Sequence, residues 1–286
     1  MGVSDLIKKI KGEEEPGEVE TEKRRNMKEY DLDEAADNAY GFYERGDLES
    51  AISESNKILK ADSDNADAHF ILGMCFYDRG DAASAVEEFK NVVSTDPNYP
   101  GARFMLGSLL VDMGLYDNAL KVLGKLLEYE PENAEAHFLI GTIYYERDRV
   151  EDAINSYKKS IAINPENPQV HLLLGSSYLE VENYEEAVNE LKKVKDDDMN
   201  ASVAKNNLGI CYYMSGRIDC AISEFENSIK LDPMNYMPHY FLGLIHIEKD
   251  NIEKAKSELG KALELNPKDK NSYEALNNIL EIEGKR

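Results

Sequence analysis

The segment from Ala68 to Phe89 reads AHFILGMCFYDRGDAASAVEEF, and the segment from Ala136 to Tyr157 reads AHFLIGTIYYERDRVEDAINSY. The two segments begin 68 residues apart and place apolar and small residues at nearly the same positions. A third copy, ARFMLGSLLVDMGLYDNALKVL, begins halfway between them at Ala102, so the period is 34 residues. A fixed period of this length predicts a repeat architecture, in which each unit packs on its neighbours.

Seven units of 34 residues fit without insertion when the first unit begins at Leu32, and the seventh then ends at Asp269. The eighth and twentieth positions of every unit are glycine or alanine: Ala39, Gly73, Gly107, Gly141, Gly175, Gly209 and Gly243, then Ala51, Ala85, Ala119, Ala153, Ala187, Ala221 and Ala255. Because glycine inside a helix costs about 1 kcal/mol relative to alanine, its recurrence indicates a close crossing of two helices. Proline at position thirty-two of five units cannot continue a helix interior. Each unit is therefore predicted to be a helix, a turn and a second helix.

This pattern closely resembles the tetratricopeptide repeat family, which has small residues at positions eight and twenty and proline at position thirty-two. The resemblance implies an all-α fold, a right-handed α-solenoid of seven helix-turn-helix repeats plus a C-terminal capping helix. We expect a flexible charged N-terminal tail at 1–31, repeats at 32–269, and the capping helix and tail at 270–286. Repeat five lacks the proline and has three adjacent aspartates, so we expect the weakest joint at 196–200.

The charge of the chain and the motifs that it lacks argue against several classes of function. The formal net charge of −23 argues against nucleic acid, whose phosphates require clustered lysine and arginine. No stretch of 18 apolar residues and no secretion signal is present, so we expect a cytoplasmic protein. Motifs for phosphate binding, dinucleotide binding, zinc proteases and serine hydrolases are absent, so we predict a non-enzyme with no cofactor.

Four histidines recur at position four of the repeats: His69, His137, His171 and His239. Helices pack about 8–10 Å apart, whereas zinc ligands lie about 2 Å from the metal, so equivalent histidines of neighbouring repeats are poorly placed to share an ion. We therefore predict no metal site and assign these rings to packing. Three cysteines without CxxC spacing are predicted to be reduced thiols.

The resemblance also implies that positions two, five, nine, twelve and thirteen of each first helix face a concave groove that holds a peptide or helix of another protein. The predicted groove residues are Phe70, Met74, Tyr77, Phe104, Ser108, Val111, Phe138, Thr142, Tyr145, Leu172, Ser176, Leu179, Asn206, Asn207, Ile210, Tyr213, Tyr240, Leu244 and Ile247. The alternative is that packing between repeats buries some of them. Positions that bind a C-terminal carboxylate in some co-chaperones of this family carry no lysine or arginine here, which argues against such a ligand.

Acidic residues recur at position thirteen, and we call them the acidic row: Glu44, Asp78, Asp112, Glu146, Glu180 and Glu248. The row is either a solvated edge or a surface that selects basic partners. The leading functional hypothesis is a scaffold or adaptor that binds a basic amphipathic segment of another protein.

Residues 3–11 form a short basic amphipathic segment, because Val3, Leu6, Ile7 and Ile10 follow helical spacing beside three lysines. This segment could dock in a groove of its own chain or of a second copy, contact a membrane surface weakly, or bind nothing. The second functional hypothesis is accordingly a peripheral membrane adaptor anchored by this segment, and an enzyme is the third.

Overall fold

Paired antiparallel helices build the molecule, as shown by a computed structural model that describes residues 31–99 and 101–284. The described residues fall into two compact units with the boundary between Pro131 and Glu132. The N-terminal tail, including the amphipathic segment at 3–11, lies outside the described residues.

The first compact unit contains three helix pairs in its described part. They are α1 (Leu32–Glu44) with α2 (Leu48–Ala61), α3 (Ala66–Asp78) with α4 (Ala82–Thr95), and α5 (Ala102–Asp112) with α6 (Tyr116–Tyr129). Each helix packs on its neighbours in chain order, and α1 also contacts α3. The first helices of repeats one and two therefore lie side by side.

The second compact unit contains four helix pairs and a final helix in its described part. They are α7 (Ala134–Tyr145) with α8 (Val150–Ile163), α9 (Pro168–Glu180) with α10 (Tyr184–Leu191), α11 (Ala201–Met214) with α12 (Ile218–Leu231), and α13 (Met237–Glu248) with α14 (Ile252–Leu265), followed by α15 (Lys270–Gly284). The first helices α9, α11, α13 and the final helix α15 contact one another in sequence. The predicted all-α helix-turn-helix fold with a C-terminal helix is confirmed.

The recurrent glycine lies where the two helices of a repeat cross. A Cβ atom on Gly141 would lie 2.6 Å from Cδ1 and Cε1 of Tyr157, and one on Gly73 would lie 2.7 Å from Cε1 of Phe89. Both aromatic rings are fully buried. The large residue at position twenty-four therefore fills the space that the missing side chain leaves, which accounts for glycine at this position.

Short turns join the two helices of each repeat and use left-handed backbone at position fifteen. Glycine occupies that position in four repeats, with φ between 69° and 76°. In the other three repeats the residue is Asp148, Glu182 or Asp250, with φ of 56°, 59° and 55°. Side chains cap many first helices; the carboxylate of Asp31, for example, accepts hydrogen bonds from the backbone N–H groups of Asp33 and Glu34.

Repeat five is irregular where the aspartates occur. Helix α10 has 8 residues, whereas the second helices of the other repeats have 14. Turns occupy residues 192–200, where Met199 is 97 % exposed. The weak joint at 196–200 stays a prediction, and the interrupted helix is the feature on which it depends.

Candidate partner-binding surface

The first helices position most of the predicted groove residues at partly exposed sites. Those that are partly buried in the structure are Phe104, Ser108, Val111, Phe138, Thr142, Tyr145, Ser176, Leu179, Asn207, Ile210, Tyr213, Tyr240, Leu244 and Ile247. Tyr77 is 42 % exposed. These side chains occupy the side of each first helix that the packing positions seven, eight and eleven leave open. They supply an aromatic and aliphatic surface in each compact unit.

Three apolar residues of the predicted groove are buried instead. Phe70, Met74 and Leu172 are 2 %, 1 % and 6 % exposed. The ring of Phe70 packs edge-on against Phe89 at 5.6 Å, within its own repeat, and Leu172 belongs to the hydrophobic core that includes Leu191. Positions five and nine border the helix crossing, so a large side chain there can turn into the crossing. These three residues are corrected from groove to core.

Asn206 and Asn207 differ in what they offer a partner. Asn206 is 6 % exposed, and its Oδ1 is buried without a hydrogen-bond partner. Asn207 is partly buried, and its Nδ2 donates to Ser176 Oγ of the preceding repeat at 3.0 Å. The prediction that Asn206 lines the surface is therefore wrong, whereas Asn207 and Ser176 form a polar link between repeats five and six.

The acidic row is exposed at all six positions. Tyrosines at position twelve donate hydrogen bonds to acids at position thirteen of the next repeat, from Tyr213 Oη to Glu248 and from Tyr145 to Glu180. Burial, followed by the hydrogen bond and charge of Glu248, raises the pKa of Tyr213 to about 12. Part of the row therefore contributes to contacts between repeats, a role that the sequence analysis missed. The shared spacing of 35 residues between tyrosine and acid could have revealed it.

Three of the four histidines at position four contact a glutamate on the second helix of their repeat, which the sequence analysis also missed. Nδ1 of His69 lies 2.6 Å from Glu88, Nδ1 of His171 lies 2.7 Å from Glu190, and Nδ1 of His239 lies 2.6 Å from Glu258. Each pair joins position four to position twenty-three of the same repeat. These rings therefore do not only pack. Each one also connects the two helices of its repeat through a largely buried polar contact.

The three cysteines differ in exposure. Cys75 and Cys211 are buried, and burial raises the pKa of each thiol to about 11. Cys220 is exposed on α12. In residues 31–99 and 101–284, no group of three or more histidine, cysteine or acidic side chains is placed to hold a metal ion. Within that part of the chain, no helix has the length and apolar character needed to cross a membrane.

Comparison with known proteins agrees with the repeat geometry. Sequence models of the tetratricopeptide repeat match residues 37–102 and 172–233, residues 76–139, and residues 238–269. A model of subunit 3 of the anaphase-promoting complex, or cyclosome, matches residues 112–194. No curated protein sequence matches the chain.

Several solved structures share the fold. The crystal structure of MamA is 26 % identical and covers 57 % of this chain and 95 % of its own, with a TM-score of 0.53. YrrB, a tetratricopeptide repeat protein with an unusual peptide-binding site, is 24 % identical, with coverages of 67 % and 98 % and a TM-score of 0.60. The C-terminal part of a repeat protein from Cytophaga hutchinsonii is 16 % identical, with coverages of 84 % and 99 % and a TM-score of 0.68. The repeat models and the helix-pair geometry agree, and the chain belongs to the tetratricopeptide repeat family, whose members are generally non-catalytic protein-interaction scaffolds.

Proposed function

We propose that this chain is a non-catalytic scaffold or adaptor that binds a basic amphipathic segment of another protein, a peptide or a helix. The observation that carries the proposal is the combination of two features on the same first helices. Partly exposed apolar side chains lie at positions five and twelve of α5, α7 and α13, and also at position nine of α13, and an exposed carboxylate follows at position thirteen of each. A segment with apolar and basic residues complements both features.

The apolar component is clearest on α13 in the second compact unit. Tyr240, Leu244 and Ile247 are partly exposed and follow one another at spacings of four and three residues, so they form one stripe along the helix. Tyr240 packs against Phe241, with ring centroids 5.1 Å apart, and Phe241 in turn packs against Tyr213 of the preceding repeat at 5.9 Å. The surface is thus held in place by contacts within and between repeats, which lowers the entropic cost of binding a partner.

The acidic component favours a basic partner over a neutral or acidic one. Glu146, Glu180 and Glu248 are exposed in the second compact unit, and the formal net charge of the chain is −23. A basic segment would gain association rate from this field, mainly at low ionic strength, because exposed charges are screened within about 10 Å at 0.1 M salt.

The proposal is tested by panning the full-length purified chain against a displayed library of random peptides. We expect enriched peptides to combine lysine or arginine with apolar residues three or four positions apart. The affinity of a synthesised hit is then measured by fluorescence anisotropy. Enrichment of acidic or purely apolar peptides, or no enrichment at all, would refute the proposed function.

Two variants test whether a hit binds this surface. Leu244→Ala should raise Kd by about fivefold or more if Leu244 is a central contact, because truncated anchors typically cost about 1 kcal/mol or more. Glu146→Lys should slow association at low salt and have little effect at about 1 M salt. Glu226→Lys is the matched control, since Glu226 is exposed on the second helix α12. Equal effects of Glu146→Lys and Glu226→Lys would mean that only the overall charge matters.

The membrane-adaptor alternative depends on the segment at 3–11, which lies outside the described residues. Deleting residues 2–11 discriminates between the alternatives for this segment. Loss of liposome binding with unchanged peptide affinity would assign the segment to a membrane surface. A rise in peptide affinity without liposomes would indicate that the segment competes for the groove of its own chain or of a second copy.

A further inference from the structure

A cavity of about 320 Å³ lies in the first compact unit, between the first helices of repeats one and two, and we call it the aspartate pocket. Its floor is buried and apolar, its walls are two partly buried tyrosines, and its rim is three exposed carboxylates. In that order the lining residues are Ala36, Phe70 and Ile71, then Tyr40 and Tyr99, then Asp33, Asp37 and Asp67. The volume is at the small end of the range for ligand pockets, about 300–1,000 Å³. Such a pocket suits one side chain better than a whole cofactor.

The wall and rim are fixed relative to each other on the side formed by α3. Tyr99 Oη donates a hydrogen bond of 2.6 Å to Asp67 Oδ1, and the Tyr99 ring packs on Phe70 with centroids 5.0 Å apart. Burial, followed by the charge and hydrogen bond of Asp67, raises the pKa of Tyr99, so the phenol stays a proton donor. The Asp67 carboxylate is therefore oriented beside an aromatic wall before any ligand arrives.

The fold does not require acids at all three rim positions. Asp33 and Asp67 lie in the first turns of α1 and α3, where a negative charge is favoured by the helix dipole. Asp37 lies further along α1, and the equivalent residues of the other repeats are Ile71, Met105, Leu139, Leu173, Asn207 and Phe241. Within the described part of the chain, no lysine or arginine forms an ion pair with Asp33 or Asp67. The carboxylates of Asp33 and Asp67 are thus not neutralised by an ion pair with a described lysine or arginine.

We propose that the aspartate pocket binds the side chain of one lysine or arginine of the partner segment, an inference that rests on the proposed function. The aliphatic stem of such a residue would lie on the apolar floor, as long basic side chains commonly do. Its charged end would reach the carboxylates and could also contact a tyrosine ring face. A neutral or acidic side chain would bring no counter-charge to Asp33 and Asp67, so the pocket selects a basic residue at one position of the partner.

Small probes test the pocket without knowledge of the partner. Methyl-labelled full-length protein is titrated by NMR with the N-acetyl, N-methylamide derivatives of arginine, lysine and the neutral arginine analogue citrulline. We expect the methyl signals of Ile71 and Ala36 to shift with the arginine and lysine derivatives. The citrulline derivative should bind about tenfold more weakly, the ratio expected for losing one charged hydrogen bond of about 1.4 kcal/mol. Equal shifts with citrulline, or no shift at these two methyl groups, would overturn the proposal.

Variants locate the binding determinant. Asp67→Asn should weaken arginine-probe binding about tenfold by the same reasoning, and Tyr99→Phe should weaken it less, because the ring wall remains. Glu87→Gln is the charge-matched control, since Glu87 is exposed on the second helix of the same repeat. Unaltered methyl signals away from the pocket show that a variant is folded. If the Asp67→Asn protein does not fold, the Asp33→Asn protein is used in its place. Full binding by the Asp67→Asn and Asp33→Asn proteins would refute the assignment.

The outcome separates this inference from the proposed function. If panning enriches basic amphipathic peptides whose affinity is unchanged by Asp67→Asn, the scaffold function stands and the pocket assignment fails. If the arginine probe binds but panning enriches no basic peptide, the pocket stands and the broader proposal fails.

Discussion

Replacing Gly209 with alanine adds one methyl group at the crossing of α11 and α12. The new Cβ atom would lie 2.5 Å from Phe225 Cε1 and 2.6 Å from Cδ1, whereas favourable carbon contacts are at about 3.5–4.0 Å. Phe225 is fully buried, and its ring stacks on Phe241 with centroids 5.3 Å apart and an interplanar angle of 6°. The ring cannot move away from the methyl group without displacing Phe241, so the strain is not easily relieved.

The magnitude follows from two opposing terms. Overpacking a core typically costs about 1–3 kcal/mol, and three Phe225 ring atoms within 3.0 Å place this site in the upper part of that range. Alanine gains about 1 kcal/mol over glycine in helix propensity. We therefore expect Gly209→Ala to lower the free energy of unfolding by about 1–2 kcal/mol.

Gly260 provides a matched control in the same compact unit. It lies inside α14, and a Cβ atom there would meet nothing within 4 Å. Gly260→Ala should therefore raise the free energy of unfolding by about 0.5–1 kcal/mol through helix propensity alone. Because both variants change the unfolded chain in the same way, the difference between them isolates the contact with Phe225.

Urea unfolding followed by far-ultraviolet circular dichroism measures both effects. The midpoint should fall for Gly209→Ala and rise for Gly260→Ala relative to the original chain, at similar dependence on urea. A Gly209→Ala midpoint equal to or above that of Gly260→Ala would show that the helix crossing is not close-packed, and the account of the eighth position would then be wrong.

Three further variants test polar and backbone features. Glu182→Gly should raise the free energy of unfolding by about 1 kcal/mol, because Glu182 has φ of 59°; a lower urea midpoint would contradict this. The pKa of Glu258 is lowered overall, because burial alone would raise it but contacts that include the hydrogen bond from His239 lower it more. The ionised Glu258 carboxylate therefore stabilises the fold above about pH 4.5, and this stabilisation is lost on acidification. Stability should fall less between neutral pH and acid for Glu258→Gln than for the original chain, and equal slopes in urea titrations would contradict this. Tyr213→Phe removes the hydrogen bond to Glu248 and should cost about 0.5–1.5 kcal/mol, and an unchanged midpoint would show that the contact contributes nothing.

The sequence by itself determined the repeat and its internal crossing. Glycine at position eight, alanine at position twenty and a large apolar residue at position twenty-four predict two helices in close contact, and Gly141 against Tyr157 shows that contact. These features could be read in advance because they recur together in repeats two to seven and depend only on residues within one unit; repeat one has Ala39 and Ser55 at positions eight and twenty-four. The short helix α10 had a signal too, since Asp196 and Asp197 occupy positions twenty-nine and thirty, which are helical in the other repeats.

The tertiary structure alone decided which groove positions stay open. Phe70 and Leu172 occupy the same position as Phe138, yet the first two are buried and Phe138 is partly exposed. Whether a side chain at position five is buried depends on the size of the neighbouring side chains and on the rotamer that they permit. The sequence of a single repeat does not specify both. The aspartate pocket depends on two adjacent first helices and on Tyr99, which follows them in the chain. Asp37 and Tyr99 have no equivalent in the other repeats, so the period that revealed the fold gave no indication of the pocket.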